Sequence, residues 1–203
     1  MNIITIIVGD FSTNCYLVFD EKNTGVVIDP GDSASRILEE SKNRGLKIEA
    51  ILLTHGHCDH LIAARELQDS LNVPLYVHQD DKDFVEHAIE QGHMLGLHCT
   101  KVPKINHFYS DALQIGQLNW QIRHVPGHTP GGVIIVGDKV AFCGDTIFRG
   151  AIGRTDFIGG NYQQLINSIR TQIYTLPEDT VLYCGHGPNT TVGYEKEHNP
   201  YTM

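Results

Sequence analysis

The sequence predicts an α/β fold in which two sheets pack face to face and helices cover the outer faces. Three observations indicate this architecture. Short apolar stretches of strand length alternate along the chain with segments of helical periodicity. Turn-forming sequences such as DPGDS, VPGHTPGG and GHGPNTT separate these segments. Hairpin-like and strand-helix-strand successions both occur, which is typical of mixed sheets flanked by helices.

The individual elements follow from local patterns. The N-terminal segment is apolar, but it has no basic lead and Gly9 and Asp10 interrupt it. It therefore predicts two strands joined by a turn instead of a signal peptide or a membrane span. EAILL is an apolar run typical of a buried strand, and LIAARELQ after it has helical spacing. We predict strands at residues 3–8, 16–19, 26–28, 50–53, 75–77, 120–124, 133–136, 140–142 and 181–183, and helices at 34–44, 61–71, 80–91 and 162–174.

Composition limits the domain organisation and the partners. The chain has 203 residues, 41% hydrophobic and 19% charged, which fits one domain over residues 1–203. The net charge is -9 and no Lys/Arg run is present, so we expect no nucleic acid partner. We expect a monomer or small homo-oligomer. The five cysteines lack paired spacing, which favours a reducing cytoplasm: Cys15, Cys58, Cys99, Cys143 and Cys184.

Metal-binding residue types recur just past predicted strands. The ends of neighbouring strands converge at one rim of an α/β sheet, so donors that are distant in sequence are expected to meet there. The donors lie in THGHCDH, PGHTPGG, CGDTIF and GHGP, and they are His55, His57, Asp59, His60, His128, Asp145 and His186.

Imidazole nitrogens and carboxylate oxygens suit zinc, iron or manganese. The seven donors exceed the needs of one tetrahedral ion and suffice for two ions if one carboxylate bridges them. Two ions about 3.5 to 4 Å apart clamp an attacking hydroxide and stabilise negative charge on a substrate. The donor set therefore favours a hydrolytic centre over an isolated structural site.

The four motifs, in this order, resemble the metallo-β-lactamase superfamily, whose fold is an αββα four-layer sandwich with a two-metal site at one edge. GRTDFIGG and NTTVGYEKEHNP are similar to segments of the short glyoxalase II-like hydrolases. The resemblance implies that a first ion is held by His55, His57 and His128, and a second by Asp59, His60 and His186, with Asp145 bridging.

The resemblance also implies a reaction. A hydroxide that bridges two divalent ions, most simply zinc, would attack the carbonyl of a small thioester of the hydroxyacylglutathione type. Asp59 would be catalytic as well as a ligand, because it could orient a proton during collapse of the tetrahedral intermediate. Longer glyoxalase II enzymes add a C-terminal helical region that contacts glutathione, and this chain ends at Met203 without one. The thiol carrier is therefore left open.

Two other functions remain alternatives. Persulfide dioxygenases share the heptad and a GRTDF-like segment but use a single iron, and they carry a GHDY-type ending where this chain has GHGPNTTVG. A non-catalytic domain would use the ions only to cross-link its strands. A β-lactamase is the weaker interpretation, because nothing in the sequence indicates export.

Several other residues have an ordinary explanation beside a functional one. Arg149 and Arg154 either form surface salt bridges or bind an anionic substrate, and for Arg154 a buried pair with Asp156 is favoured. We expect Cys58 to be a small buried residue that points away from the ions, and His124 to lie outside the ligand set. Residues 87–104 either form a wall over the site or, as favoured, pack on the core.

Overall fold

Two six-stranded sheets packed face to face form the centre of the structure, a computed structural model that describes residues 1–203. The first sheet contains, in spatial order, β1 (Asn2–Val8), β2 (Thr13–Phe19), β3 (Thr24–Ile28), β4 (Lys47–Leu52), β5 (Leu75–Val77) and β6 (His107–Phe108). Strands β1 to β3 are antiparallel, and β3 to β6 are parallel. The four parallel strands β3, β4, β5 and β6 therefore end at the same edge of this sheet.

The second sheet contains β7 (Ala112–Ile115), β8 (Leu118–His124), β9 (Val133–Gly137), β10 (Val140–Gly144), β13 (Val181–Cys184) and β14 (Thr190–Thr191). A separate hairpin is formed by β11 (Ile147–Phe148) and β12 (Ala151–Ile152). Strands β7 to β10 form an antiparallel meander, and β13 runs parallel to β10. Strands β8, β10 and β13 consequently run in one direction and end at one edge.

The helices lie on the outer faces of the sheets. They are α1 (Ala34–Asn43), α2 (Ala64–Leu71), α3 (Lys82–Glu86), α4 (Ala88–Leu95), α5 (Tyr162–Ser168) and α6 (Val192–His198). Helix α5 continues as a π-helical turn over Ile169–Ile173, and short 3-10 turns occupy Cys58–His60 and Gln79–Asp81.

Alternation of side chains along the strands produces three separate apolar layers. On β2, Tyr16 and Val18 face the space between the sheets, whereas Cys15 and Leu17 face the outer layer with α1 and α2. Successive strand residues point to opposite faces, so a strand covered on both sides is apolar throughout. On β9, Ile134 packs in the same way toward the layer that contains α5. The arrangement is the αββα sandwich that the resemblance implied, so the expected fold class is confirmed.

The structure differs from the predicted elements in three ways: one predicted helix is divided, another begins later, and several short elements are additional. The helix predicted over residues 80–91 is instead a 3-10 turn and the helices α3 and α4, which are offset at His87. The helix predicted from residue 61 begins at Ala64, because the preceding residues form tight turns. The short strands β6, β7, β11, β12 and β14 and helix α6 were not predicted, since segments of two to seven residues carry too little periodicity.

Helix α6 has a definite structural role. Buried Glu195 accepts a hydrogen bond from the Gly150 backbone N–H, and Asn199 donates to the Ala151 carbonyl, so both side chains hold the turn of the β11–β12 hairpin. The Arg149 guanidinium lies 4.3 Å from the centre of the Tyr194 ring, in a cation–π contact with the same helix. The NTTVGYEKEHNP segment therefore fixes the position of this hairpin. None of the helices has the length and hydropathy required of a membrane-spanning segment.

Phe142 provides a test of the layer between the sheets. Its buried ring contacts Tyr16 edge-on and stacks on Tyr183, each with a 5.1 Å separation of ring centres. We expect Phe142→Ala to lower the free energy of unfolding by about 3–5 kcal/mol, because it leaves a cavity in a close-packed layer. Urea denaturation measures this change. Phe108→Ala, at a ring that is 44% exposed, should change stability by only about 0.5 kcal/mol, and equal losses would contradict the assigned packing.

Candidate metal centre

The predicted donors lie together at the edge where the parallel strands of both sheets end. His55, His57, Asp59 and His60 follow β4 of the first sheet. The second sheet contributes His128 after β8, Asp145 directly after β10 and His186 after β13. The tertiary structure thus joins four loops that are far apart in the sequence.

Three of the histidines form one group of candidate ligands. The ligand atoms of His55, His57 and His128 all lie within 4.8 Å of one another. The closest pair is His57 Nδ1 and His128 Nε2, which are 3.0 Å apart. His55 and His128 are almost completely buried.

A second group lies beside the first. It consists of Asp59, His60 and His186, whose ligand atoms also lie within 4.8 Å of one another. Nε2 of His60 and Nε2 of His186 are 3.3 Å apart, and Oδ2 of Asp59 is 3.4 Å from the latter.

Asp145 lies between the two groups. Its Oδ2 atom is 3.7 Å from Nε2 of His128 and 3.4 Å from Nε2 of His186. Its Oδ1 atom is 3.4 Å from Nε2 of His60. The carboxylate therefore reaches members of both groups.

Hydrogen bonds on the far side of each ring orient the histidines. The Nδ1–H groups of His128 and His186 donate to the carbonyls of Arg154 and Phe11, over 2.7 and 3.0 Å. Nδ1 of His55 lies 3.1 Å from the Thr54 hydroxyl. With Nδ1 engaged as a donor, each ring directs Nε2, the nitrogen left for a metal ion, to the centre. His57 has the opposite orientation and presents Nδ1.

Asp29 is a buried positioning residue that sequence reasoning missed. Its carboxylate accepts hydrogen bonds from the Thr54 backbone N–H at 2.7 Å and the Thr54 hydroxyl at 2.6 Å. It also lies 3.1 Å from Nδ1 of His60. One Asp29 oxygen lies within 4.8 Å of the ligand atoms of His55 and His60. Because both oxygens already accept hydrogen bonds, we assign Asp29 as a support for the ligands and not as a ligand. Its place in the DPGDS turn directly after a strand was the available signal.

Asp81 is a second buried residue of this kind. It accepts hydrogen bonds from the Gly56 N–H at 2.8 Å, the Thr129 hydroxyl at 2.8 Å and the Gly131 N–H at 2.6 Å. Gly56 separates two histidines of the heptad, and Thr129 follows His128. One carboxylate therefore joins two ligand loops, and no local sequence pattern marks it.

Close packing around the donors requires glycine. A Cβ atom on Gly185 would lie 2.1 Å from Oδ1 of Asp145 and 2.8 Å from Cε1 of His60. A Cβ atom on Gly144, whose φ is +47°, would lie 2.2 Å from Oγ1 of Thr54. Side chains at these two positions would displace the donors or their supports.

The two groups differ in electrostatics. Burial is the largest effect on His55 and His57, and it lowers the pKa of His57 to about 3, so these rings are neutral. Burial also disfavours imidazolium at His186, but contacts with Asp145 and Asp59 outweigh it and raise the pKa to about 9. For Asp145 burial acts to raise the pKa, yet His60 and His186 hold it well below its usual value. The carboxylates thus stabilise positive charge in the second group.

The donor set fits divalent cations. Nε2 of His55 and Oδ1 of Asp145 are buried and accept no hydrogen bond, which is costly for polar atoms unless a cation lies nearby. The centre-facing nitrogens of neighbouring histidine rings also lie only 3.0 and 3.3 Å apart. Mixed imidazole and carboxylate donors suit zinc, iron and manganese.

A cavity of about 690 Å³ opens above the donors. Its polar base contains His57, Asp59, His128, Asp145 and His186. Its other lining residues are Phe11, Phe84, Gln91, Met94, Leu95, Phe148, Ile152, Arg154, Phe157 and Ile158. An open cavity over a donor set is the arrangement of a catalytic site, whereas structural metal sites are closed.

Comparison with known proteins agrees with this geometry. The model of the metallo-β-lactamase superfamily matches residues 8–186. The chain belongs to the metallo-β-lactamase superfamily. One curated relative, the hydroxyacylglutathione hydrolase GloC of Haemophilus influenzae, is 41% identical to this chain. The alignment covers 99% of this chain and 98% of GloC.

Solved structures of other superfamily members are similar over nearly the whole chain. BLEG-1, a B3 metallo-β-lactamase, has a TM-score of 0.94 and 35% identity with full coverage of both chains. TTHA1623, determined in a di-iron-bound form, has a TM-score of 0.91 and 34% identity and covers 98% of this chain and 99% of its own. ETHE1 from Myxococcus xanthus has a TM-score of 0.82 and 27% identity, with 98% and 84% coverage.

The two arginines differ from the sequence expectations. Arg149 is exposed, stacks on Tyr194 and does not line the cavity. The structure therefore does not place Arg149 at the site. Arg154 lies at the rim of the cavity and pairs with Asp156 at 2.7 Å, but both side chains are exposed. The expectation of a buried pair was therefore wrong, because this loop lies on the surface and the Arg154 guanidinium instead covers the Phe157 ring at 4.1 Å.

Other expectations concern residues outside the donor set. Cys58 is buried in the outer layer of the first sheet and points away from the donors, as expected. His124 stacks on His78, with ring centres 4.1 Å apart, and lies outside the two groups. Residues 87–104 have both of the roles considered, because Gly92 and Cys99 pack together while Met94 and Leu95 line the cavity.

Asp81→Asn tests the link between the ligand loops. The Asn amide would direct an N–H group at one of the three groups that now donate hydrogen bonds to the carboxylate. The ligand loops would then be held less firmly, so we expect metal affinity to fall about 10-fold or more. Competition with a chromophoric chelator measures this affinity. Asp83→Asn is the matched control, because the Asp83 side chain is exposed and makes no hydrogen bond with these loops. Equal affinities for the two variants would contradict the role of Asp81.

The raised pKa of His186 predicts a pH dependence for chelator-stripped protein. Between the unfolded value near 6.5 and the folded value of about 9, the native state holds a proton that the unfolded state has lost. The free energy of unfolding should therefore fall as pH rises through this window, by about 1–3 kcal/mol. Urea denaturation across this range measures the slope. His186→Asn should reduce the slope without abolishing it, because burial of His60 is likewise outweighed by Asp145 and Asp59, which raise the pKa of that ring. A stability that rises over the window would contradict the assignment.

Proposed function

We propose that this chain is a hydrolase of small thioesters of the hydroxyacylglutathione type. It uses two divalent metal ions, and these ions are zinc. The single observation that carries the proposal is the position of Asp145 between two groups of three donors. The similarity to GloC, which extends over almost the full length of both chains, supports the thioester class.

We assign the ligands as follows. His55, His57 and His128 hold one ion, and Asp59, His60 and His186 hold the other. Asp145 contributes to both, because its two oxygens approach members of each group. In this assignment Arg149 has no part in binding substrate, and Arg154 contributes at most to the rim of the cavity.

Divalent ions at such a site lower the pKa of a bound water from about 15.7 toward about 7 and polarise a carbonyl, which is the chemistry that thioester hydrolysis needs. The chain itself places Asp59 in the cavity lining, where its carboxylate can orient or receive a proton as the thiol leaves. The backbone carbonyls of Phe11 and Arg154 keep two of the rings in a fixed orientation.

The ETHE1 similarity gives the persulfide dioxygenase alternative its support. A single iron at the three histidines of the first group would leave the second group, and the two Asp145 contacts with it, without a purpose. A purely structural role for the ions does not explain why both groups open on a cavity of about 690 Å³. The two-ion hydrolase accounts for all the donors.

The test uses protein of measured metal content and S-lactoylglutathione, with the loss of thioester absorbance as the readout. We expect turnover with about two ions per chain, and we expect Asp145→Ala to lose both metal and activity. His198→Ala is the control, because this exposed ring only contacts its own helix.

Three outcomes would contradict the proposal. Unchanged turnover in Asp145→Ala would refute the shared ligand. One iron per chain with oxygen consumption on glutathione persulfide would establish the dioxygenase. Hydrolysis of a β-lactam without hydrolysis of any thioester would assign the chain to the activity for which BLEG-1 is named.

A further inference from the structure

The walls of the cavity are unusually poor in groups that could bind a charged substrate. Eight of its fifteen lining residues are hydrophobic, and four of these are phenylalanines. The polar lining residues other than Gln91 and Arg154 belong to the donor set at the base. A substrate that reaches the base must therefore pass along apolar surface.

Apolar rings flank the donors on both sides. The ring centres of Phe84 and Phe157 lie 5.5 and 5.9 Å from that of His57. At the other end of the donor set, the Phe148 ring lies 6.1 Å from His186. Aromatic rings therefore border the donor set at both of its ends.

The two polar side chains of the walls are already engaged. The Gln91 amide donates to the backbone carbonyls of Phe84 at 2.6 Å and Gly56 at 3.3 Å. Arg154 is the one Lys or Arg in the lining, and its guanidinium makes two hydrogen bonds to Asp156 and covers Phe157. Carboxylates of a glutathione carrier would find no unpaired Lys or Arg in these walls, and the net charge of -9 would repel them.

Part of the apolar lining is exposed at the mouth of the cavity. Ile158 is 82% exposed and Met94 is 75% exposed, and Leu95 and Phe157 beside them are also exposed. Contiguous exposed apolar side chains that rim a cavity indicate a site that binds an apolar group.

We propose that the cavity selects thioesters of apolar carboxylic acids, with alkyl or aryl acyl chains, and that it recognises the acyl chain instead of the carboxylates of a glutathione carrier. The inference deepens the proposed function and rests on it. It assigns specificity to the walls formed by Phe84, Met94, Leu95, Phe157 and Ile158, a surface that the reaction itself does not require.

The test varies the acyl chain on one small uncharged thiol. Zinc-loaded protein is assayed with acetyl, butanoyl and hexanoyl thioesters of N-acetylcysteamine and with S-lactoylglutathione. Each buried methylene contributes about 0.8 kcal/mol, so kcat/KM should rise about fourfold per methylene until the cavity is filled. The hexanoyl thioester should be hydrolysed with a higher kcat/KM than S-lactoylglutathione.

A variant locates the effect in the walls. Ile158→Ser should reduce the ratio of hexanoyl to acetyl kcat/KM at least threefold. Ile7→Ser is the matched control, because Ile7 is also exposed, at 58%, and does not line the cavity. Its ratio should equal that of the unmodified protein. Equal ratios in both variants would overturn the assignment to these walls.

A binding measurement separates recognition from turnover. Ketone analogues with a methylene between sulfur and carbonyl resist hydrolysis, and their affinity by calorimetry should rise with chain length in the same way. A flat chain-length dependence, or a higher kcat/KM for S-lactoylglutathione, would overturn this inference alone. Absence of hydrolysis with every thioester would instead overturn the proposed function and this inference with it.

Discussion

The metal centre depends on contact between loops that belong to two different sheets, and the residues at the start of β2 make that contact. The Asn14 backbone N–H donates to the Gly185 carbonyl at 2.7 Å, and its side chain donates to the carbonyls of Cys184 and Gly187. The Tyr16 hydroxyl donates to the Cys184 carbonyl as well. These bonds fix the His186 loop of the second sheet against the first sheet. They therefore contribute to the fixed separation of the two groups of donors.

Two buried acids extend this constraint to the remaining loops. A buried carboxylate is stable only when donors satisfy its oxygens, and Asp29 and Asp81 each accept bonds from backbone and hydroxyl groups of ligand loops. Burial is the main cause that raises the pKa of Asp81, and its three hydrogen bonds oppose that effect. The cost of burial is offset only in the folded arrangement, so these acids couple the geometry of the centre to the folding of the whole chain.

The centre and the cavity above it are built from different parts of the chain. The donors follow strands of the two sheets, and Asp29 and Asp81 fix the loops that hold them. The cavity walls come from α3, α4, the β11–β12 hairpin and the loop around Phe157. Helix α6 holds the hairpin through Glu195 and Asn199. Substrate preference can therefore change through the walls while the chemistry at the base stays constant, which is the basis on which we assign specificity to the apolar lining.

The sequence by itself determined the layered α/β class, most long strands and the donor residues, because period-two and helical patterns are local and THGHCDH is dense in ligand types. It did not determine the division of residues 80–91 into two helices, the roles of Asp29 and Asp81, or the surface position of the Arg154–Asp156 pair. Only the tertiary structure decided these features. Each depends on which distant backbone groups approach a side chain, and a local pattern contains no information about such contacts.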